Sequence, residues 1–320
     1  MLRGLKEYVA ARRPEKKPRP IADLAAIVTV MDDGGSSGRL RREYRVLPPG
    51  DVRNCMVALS KDEHLLTHLF EYRFPGDRGL GGHSFGNLFL TALTNVTGDF
   101  PEAIRVSSQV LAIRGRIFPS TEQNVTLEAE LEDGKRVAGE TNISKSRKRI
   151  RCVRLVPRRV RPFPEVLRAI READLVLVGP GSLYTSIIPN LLIEGVVEAI
   201  AGSNAKCVYI ANLMTQPGET QHYSVADHVH AIYDHTAKKI FDYVIINRAS
   251  VGPGLLRRYA AQGAEQVRPS YAELDEIGLK YIVGDLVRQD GVVRHDQARL
   301  SRLLLEQFVN QSGGKRRAKA

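Results

Sequence analysis

The chain has 320 residues, a formal net charge of +11, 43% hydrophobic residues and 26% charged residues. This composition is typical of a globular protein and excludes a disordered chain or a coiled coil. No segment approaches the roughly 18 consecutive apolar residues of a membrane span, and the first residues lack the apolar centre of a signal peptide, so we expect a cytoplasmic protein without a membrane span.

The positive charge is concentrated in two places. Nine basic residues and no acidic one lie between Lys145 and Arg161, and four more lie in the closing “GGKRRAKA”. No aromatic residue interleaves either run, so neither offers a stacking platform for single-stranded nucleic acid. We expect solvated basic surface and no nucleic-acid partner, with residues 311–320 forming a basic tail behind a single domain at 1–310.

In chain order, the apolar “AAIVTV” predicts a buried strand, and “GDVRNCMVALS” predicts a helix with Asp51 as its cap. Further helices are predicted at 64–74, 84–98 and 100–115. Alternating residues around Asp133 and Gly134 then predict a β-hairpin insertion at about 123–157. From residue 164 onward strands alternate with helices, so we predict a Rossmann-like α/β fold: a mostly parallel sheet flanked by helices, with a small antiparallel β-hairpin insertion.

The first residues, “MLRGLKEYV”, carry Leu2, Leu5 and Val9 at near-helical spacing. No strand precedes this helix from which the chain could cross over. The segment therefore looks like part of a βαβ unit whose first strand and first loop are missing.

Four polar loops follow predicted strands, at 31–40, 179–186, 212–220 and 247–254. Ligands of open parallel sheets bind at the carboxyl ends of strands, so these loops are the candidate site. In “GPGSLYTS” Gly179 and Gly181 allow close approach of a ligand, and a helix starting near Ser182 points free N–H groups at an anion. A plain strand-to-helix turn is the alternative. Asn212 opens the third loop.

The loop “MDDGGSSGRL” offers glycine N–H groups, two hydroxyls and one cation, from Gly34, Gly35, Ser36, Ser37 and Arg39. Its carboxylates, Asp32 and Asp33, repel phosphate. They suit hydroxyls of a ribose or sugar, base N–H groups, or a Mg²⁺ ion bridging a diphosphate. The alternative is a solvated turn.

Two helix starts complete the set of candidates. Arg53 and Asn54 lie one turn into the helix that Asp51 begins, and could reach a ligand. His83 and Asn87 share one helix face at i, i+4 spacing and suit a hydrogen-bonded pair, although a structural role is the alternative. The histidines and the three cysteines lack metal-ligand spacing, so we expect no metal held by them and no catalytic residue other than the candidates Asp32 and Asp33.

Long motifs run in order through the chain: “AIVTVMDDGGSSGRLRREYRVLPPGDVRNCMVALS”, “GHSFGNLFLTALT”, “LVLVGPGSLYTSIIPNLLIEGVVEAI”, “NLMTQPGET”, “RYAAQGAEQV” and “VVRHD”. Together they resemble the bacterial gluconeogenesis factor family (YvcK), which is related to CofD, the 2-phospho-L-lactate transferase. The resemblance implies binding of a UDP-sugar such as UDP-N-acetylglucosamine and support of cell shape and wall synthesis on gluconeogenic carbon. It also implies that Tyr259 and Arg294 hold the UDP-sugar.

The same resemblance leaves alternatives open. In a binding protein, the uridine or ribose would contact the carboxylates of “DDGG”, and the diphosphate would lie between “GPGS” and “GGSSGR”. In the alternative, a CofD-type transferase, Asp32 or Asp33 would act with Mg²⁺. The family starts with an apolar strand and a “GGGTG” loop that are absent here, so we expect an upstream reading frame to encode them. We further expect a homo-oligomer and protein partners in wall synthesis.

Overall fold

The computed structural model describes residues 1–9, 20–61 and 65–309. The predicted basic tail at 311–320 lies outside these residues. Among the described residues, no helix combines the length and the apolar character that crossing a bilayer requires.

The strands are short and fall into four sheets. They are β1 Ala25–Val28, β2 Arg116–Pro119, β3 Thr126–Leu131, β4 Arg136–Ala138, β5 Ile150–Val156, β6 Leu175–Val178, β7 Lys206–Ile210, β8 Tyr243–Asn247, β9 Lys280–Gly284, β10 Val287–Gln289 and β11 Val293–His295. Strands β6, β7, β8 and β9 form a parallel sheet in that order, and β1 pairs in parallel with β2. The predicted mostly parallel α/β architecture is confirmed, with the parallel strands divided between these two sheets.

Helices fill the connections between strands. They are α1 Leu2–Leu5, α2 Gly35–Tyr44, α3 Gly50–Leu59, α4 Leu65–Glu71, α5 Phe85–Thr97, α6 Phe100–Val110, α7 Glu140–Ser146, α8 Pro164–Glu172, α9 Ile188–Leu191, α10 Val196–Ala201, α11 Val225–Thr236, α12 Pro253–Ala260, α13 Tyr271–Ile277 and α14 Gln297–Leu304. A single long helix was predicted after Ser182. A π-helical turn at Leu183–Ile187, α9 and α10 replace it, and Gly195, at φ 77°, separates α9 from α10.

The four-stranded sheet buries both of its faces. On β8, Val244 and Ile246 face a core shared with the antiparallel sheet, whereas Ile245 faces a second core. Leu5 of α1 and Leu300 of α14 pack into that second core. This alternation follows from the period of two along a strand, and it explains why the strand sequence is apolar throughout.

The predicted antiparallel insertion is confirmed as a three-stranded sheet in the order β4, β3, β5. Gly134 adopts φ 79° in the turn between β3 and β4, as a glycine readily does. Within the insertion, α7 was not predicted: it forms between β4 and β5, where the sequence indicated only the hairpin. The insertion therefore carries a helix, and that helix reaches the candidate site.

The basic run of β5 faces acidic residues of β3. Arg154 pairs with Glu128, and Arg151 Nη1 lies 3.0 Å from Glu130 Oε1. Beyond the strand ends, Arg149 Nη1 lies 3.3 Å from Glu132 Oε1. Cross-strand pairs of this kind neutralise much of the charge that is uninterrupted in the sequence. We call these three ion pairs the charge ladder.

Candidate functional site

The first site loop follows β1 and turns directly into α2. Asp32 Oδ1 accepts a hydrogen bond of 2.8 Å from the N–H of Gly34, which is the N-cap of α2. The prediction of a loop through residue 40 was wrong, because the helix begins at Gly35. A Cβ on Gly38 would lie 1.8 Å from the carbonyl oxygen of Asp33, so only glycine lets the first turn of α2 fold back onto the loop.

Asp51 lies beside Asp32. A Cβ on Gly50 would be 2.9 Å from Asp32 Oδ2, so the start of α3 packs against this carboxylate. Burial, and then repulsion from Asp32, raise the pKa of Asp51 to about 6. The predicted capping role of Asp51 was wrong: Pro49 is the N-cap of α3, and Asp51 lies within the first turn, where its carboxyl group faces Asp32 instead.

The insertion brings a further carboxyl group to this place. The backbone N–H of Thr141, in the first turn of α7, donates a hydrogen bond of 2.9 Å to Asp33 Oδ1. Burial, followed by repulsion from Asp32 and Asp51, raises the pKa of the neighbouring Glu140 to about 8. Among the described residues, Glu140 Oε2 is buried without a hydrogen-bond partner. Glu140 is therefore protonated at neutral pH and can donate a hydrogen bond.

The loops after β6 and β7 are bonded to each other. Asn212 Nδ2 donates a hydrogen bond of 2.9 Å to the carbonyl oxygen of Gly181, and Ser182 Oγ donates one of 3.1 Å to Glu219 Oε2. Glu219 also accepts from the backbone N–H of Tyr184, while its burial raises its pKa. An internal carboxylate thus occupies part of the helix start at which the sequence predicted a bound anion.

The four carboxyl groups of Asp32, Asp51, Glu140 and Glu219 are here called the acidic cluster. Glu219 contributes to the repulsion that raises the pKa of Glu140, which places the loop after β7 beside α7. The hydrogen bond from Thr141 to Asp33 in turn joins α7 to the loop after β1. Gly218 reinforces this closeness, because a Cβ there would be 2.6 Å from Cα of Arg147, just after α7. Two separately predicted loops and the unpredicted α7 therefore form one continuous polar surface.

The predicted pair of His83 and Asn87 is joined through Ser36. Ser36 Oγ lies 3.0 Å from His83 Nδ1 and accepts a 3.0 Å hydrogen bond from Asn87 Nδ2. Asn87 Nδ2 also lies 3.4 Å from Ser37 Oγ. The four side chains form a buried polar network that fixes α5 to the first turn of α2.

Three predicted arginine and amide side chains flank this network. Arg53 Nη2 donates 2.7 Å to Asn54 Oδ1 on the exposed side of α3. Arg39 Nη2 donates 2.5 Å to the carbonyl oxygen of Gly81, which closes the glycine-rich loop before α5. Arg39 thus links α2 to the loop before α5, whereas the bond of Arg53 stays within α3.

Tyr259 and Arg294 lie together in another part of the fold. The Tyr259 hydroxyl accepts a 3.1 Å hydrogen bond from the N–H of Val293, which precedes Arg294 on β11. Among the described residues, no hydrogen bond or ion pair joins either side chain to the acidic cluster. Both belong to the β8 and β9 side of the parallel sheet, whereas Asp32 follows β1.

The residues of the site that the sequence did not single out are Glu140, Thr141 and Glu219. The alternation of the hairpin breaks at “AGETNI”, and this break was the one local signal for α7. Nothing in the spacing marks Glu219, because its role depends on contacts between segments distant in sequence.

Comparisons with known proteins identify the family of this chain. The sequence model of the family described as 2-phospho-L-lactate transferase CofD matches residues 1–287. The chain is 45% identical over 307 residues to the gluconeogenesis factor of Bacillus subtilis, covering 96% of this chain and 93% of that protein. The chain belongs to the CofD-related gluconeogenesis factor family.

Other members of the gluconeogenesis factor family are equally similar. The gluconeogenesis factor of Listeria monocytogenes is 44% identical over 293 residues, covering 91% of this chain and 90% of that protein. A crystal structure of a UPF0052-family protein from Bacillus halodurans superposes with a TM-score of 0.88 at 45% identity, covering 95% of this chain and 94% of that one. This chain therefore shares the fold of that UPF0052-family structure.

Proposed function

We propose that the protein binds a UDP-sugar of the UDP-N-acetylglucosamine type and acts as a binding regulator of cell shape and envelope synthesis during gluconeogenic growth. Membership of the gluconeogenesis factor family supports the regulatory role. The polar loops at the carboxyl ends of β1, β6 and β7 support the binding role, since this is where open α/β sheets bind nucleotides.

The acidic cluster is the observation that carries the proposal. Its carboxyl groups come from four separate segments and lie at the carboxyl end of β1, within a partly buried surface. Carboxylates accept hydrogen bonds from sugar hydroxyls, and a protonated Glu140 can donate one to a carbonyl or ring oxygen. A sugar with several hydroxyls satisfies such a cluster better than a phosphate, which the carboxylates repel.

Tyr259 and Arg294 are the proposed holders of the nucleotide end. Tyr259 can stack on uracil or hydrogen-bond to it, and Arg294 can pair with the diphosphate. The hydrogen bond from the N–H of Val293 to Tyr259 places the tyrosine hydroxyl beside the strand that carries Arg294. In this arrangement the sugar, rather than the uridine, contacts Asp32.

Isothermal titration calorimetry with UDP-N-acetylglucosamine tests the proposal. We expect saturable heat at tens to hundreds of micromolar ligand, and an affinity reduced about tenfold in Asp32→Asn through loss of a charged acceptor. Asp133→Asn, which changes an exposed aspartate of the β3–β4 turn, is the matched control and should bind as the wild type does. Absence of heat from the wild type at hundreds of micromolar contradicts the proposal.

The regulatory half has a separate test. Expression of this chain in a Bacillus subtilis strain that lacks its own gluconeogenesis factor should restore normal cell shape on a gluconeogenic carbon source. Asp32→Asn should restore it less well than Asp133→Asn if ligand binding is part of regulation. Failure of the well-expressed wild-type chain to restore shape counts against the role.

The second candidate is a CofD-type transferase, favoured by the match to the CofD family over residues 1–287. Burial and the charge of Asp32 raise the pKa of Asp51 to about 6, and a Mg²⁺ ion between these two carboxyls would relieve their repulsion. Among the described residues, no group of three or more His, Cys, Asp or Glu is arranged to hold a metal alone, so substrate phosphates would supply the remaining ligands. Bound there, the ion would neutralise charge on the transferred phosphoryl group.

Incubation with guanosine-diphospholactate, the deazaflavin acceptor and Mg²⁺, followed by mass spectrometry, distinguishes the two candidates. The binding regulator should give no phospholactyl product. A product that Asp32→Asn abolishes and Asp133→Asn retains would establish the transferase instead.

A further inference from the structure

A group of cationic side chains surrounds His83, next to the acidic cluster. Arg73 Nη1 donates a hydrogen bond of 2.5 Å to the carbonyl oxygen of Gly82, and Arg39 Nη2 donates one of 2.5 Å to the carbonyl oxygen of Gly81. Two guanidinium groups therefore bond consecutive carbonyls of one short loop. His83 follows this loop directly, so all three side chains belong to one small region.

Arg53 adds a third guanidinium from α3. Its stem packs against Gly86, where a Cβ would lie 2.9 Å from both Cγ and Cδ of Arg53 and 2.7 Å from Phe70 Cδ1. Glycine at this position of α5 thus lets the arginine stem lie close to the helix. Among the described residues, Arg53 Nε is buried without a hydrogen-bond partner, which leaves a donor free for a ligand.

These three guanidinium groups are not neutralised within the described part of the chain. None of them has a carboxylate oxygen within 4.0 Å, and the nearby Glu71 is paired with Arg3 at 3.6 Å. Burial, and then repulsion from the nearby Arg73, lower the pKa of Arg53, whereas Glu71, Asp51 and Asp32 raise it. A bound anion would relieve this repulsion.

His83 adds a neutral donor. Ser36 Oγ accepts from Asn87 and has one proton of its own to donate; when it donates to His83 Nδ1, the ring proton lies on Nε2. Burial, and then Arg39, lower the pKa of His83 and favour this neutral form, while Glu43 opposes the shift. Buried at 3% exposure, the ring is held in one orientation by the network.

The helix start that the sequence indicated for an anion is less available. There Glu219 accepts from the N–H of Tyr184 and from Ser182 Oγ. A phosphate would have to displace or neutralise this carboxylate, whereas no carboxylate of the described residues forms an ion pair with the arginine group. We propose that the protein has an anion-binding subsite for a phosphate or carboxylate group of the ligand, formed by Arg39, Arg53, Arg73 and His83.

The subsite rests on the proposed function only for the identity of the ligand that carries the anionic group. Two sources share this chemistry: the diphosphate of a nucleotide sugar, or an acidic group on its sugar. Titration calorimetry of the wild type, Arg53→Gln and Arg73→Gln with inorganic pyrophosphate, UDP-N-acetylglucosamine and UDP-glucuronic acid distinguishes them. Arg42→Gln, an exposed arginine of α2, is the matched control.

We expect Arg53→Gln and Arg73→Gln each to lose about tenfold in affinity, the value of one charge-assisted contact, with Arg42→Gln within twofold of the wild type. Equal losses for all three ligands identify the diphosphate. A loss confined to UDP-glucuronic acid identifies a sugar carboxylate. Arg73 is exposed and makes one backbone hydrogen bond, so its variant should fold, and a thermal melt verifies this.

The remaining outcomes separate this inference from the proposed function. If the nucleotide sugars bind both arginine variants as tightly as the wild type, the subsite is contradicted and the proposed function is not. Arginine-dependent binding of pyrophosphate, without binding of either nucleotide sugar, supports the subsite and overturns the function. Failure of the wild type to bind any of the three ligands overturns both.

Discussion

The backbone N–H of Thr141 donates a 2.9 Å hydrogen bond to Asp33 Oδ1. This bond joins the inserted antiparallel sheet to the loop after β1, across 108 positions of sequence. Gly139 makes the approach feasible, since a Cβ there would lie 2.0 Å from Asp33 Oδ2. The position of α7, and with it that of Glu140, depends on this contact.

Asp33→Ala should loosen α7. Loss of the acceptor costs about 1 kcal/mol locally, which corresponds to a roughly fivefold larger open population. The exposed Lys145, Arg147 and Lys148 lie in or just after α7, so trypsin should cleave there about five times faster than in the wild type. Limited proteolysis with mass-spectrometric identification of the cleavage sites measures this.

Glu132→Ala is the control for proteolysis. It removes an exposed carboxylate of the same insertion, paired with Arg149 at 3.3 Å, without touching α7 or the loop after β1. Cleavage after Lys145 that is equally fast in Asp33→Ala and Glu132→Ala would show that the bond to Asp33 does not hold α7.

Gly38→Ala should destabilise the fold by about 1–3 kcal/mol, because the new methyl group would overlap the carbonyl of Asp33 and force the first turn of α2 away. Gly254→Ala is its matched control. Gly254 also lies in a helix, but a Cβ there would meet no atom within 4 Å. Urea denaturation should give a stability for Gly254→Ala at or slightly above that of the wild type, and equal losses in both variants would contradict the packing argument.

Glu140 predicts a pH dependence of stability. Its pKa rises from an ordinary value of 4.5 to about 8 in the folded protein. Between these values the folded state binds more protons than the unfolded state, so the free energy of unfolding falls as pH increases from about 4.5 to 8. Glu140→Gln removes this contribution and should be more stable than the wild type at pH 8, by about 1 kcal/mol or more, but not at pH 4.5.

Denaturation curves at pH 4.5, 6 and 8 measure the effect of Glu140→Gln. Glu132→Gln, on the exposed side of the same insertion, should keep the slope of the wild type. Parallel pH profiles for the wild type and Glu140→Gln would rule out the raised pKa.

The charge ladder predicts weak binding to nucleic acid. Because Glu128, Glu130 and Glu132 face the basic run, the wild type should bind nonspecific DNA more weakly than low micromolar at physiological salt. The triple variant Glu128→Gln, Glu130→Gln, Glu132→Gln should bind at least tenfold more tightly in 50 mM salt. Fluorescence anisotropy with a labelled duplex measures both affinities.

A second triple variant separates local from overall charge. Glu172→Gln, Glu276→Gln and Glu306→Gln change the net charge equally at exposed positions outside the ladder. If this variant gains as much DNA affinity as the ladder variant, overall charge explains the gain and the ladder does not screen the basic run.

The sequence predicted the parallel α/β architecture and the antiparallel insertion because both rest on local periodicity. The apolar run at β8 and the alternation at β3 are visible in any short window. The start of α2 was not visible in this way. Gly35 and Gly38 lower helix propensity, and this turn forms because contacts with Asp33 and Asn87 stabilise it.

For the candidate site, the sequence predicted the separate loops but not how they come together. The loops at 31–40 and 179–186 follow strands and carry glycine, so sequence alone indicated them. Their connection through Glu140 and Glu219 depends on where the insertion packs, and no spacing in the sequence encodes that. The ligand-binding role of the predicted residues stays a prediction until binding is measured.

Gly4 in α1 packs against α14 so closely that a Cβ would lie 2.2 Å from Ser301 Oγ and 2.4 Å from the carbonyl oxygen of Gln297. The partners of this contact are nearly 300 positions apart. During synthesis at about 5–20 residues per second, α1 leaves the ribosome on the order of 15–60 s before α14 exists. Until then Leu300 and Leu304 are missing from the core into which Leu5 packs, so this core stays incomplete until translation ends.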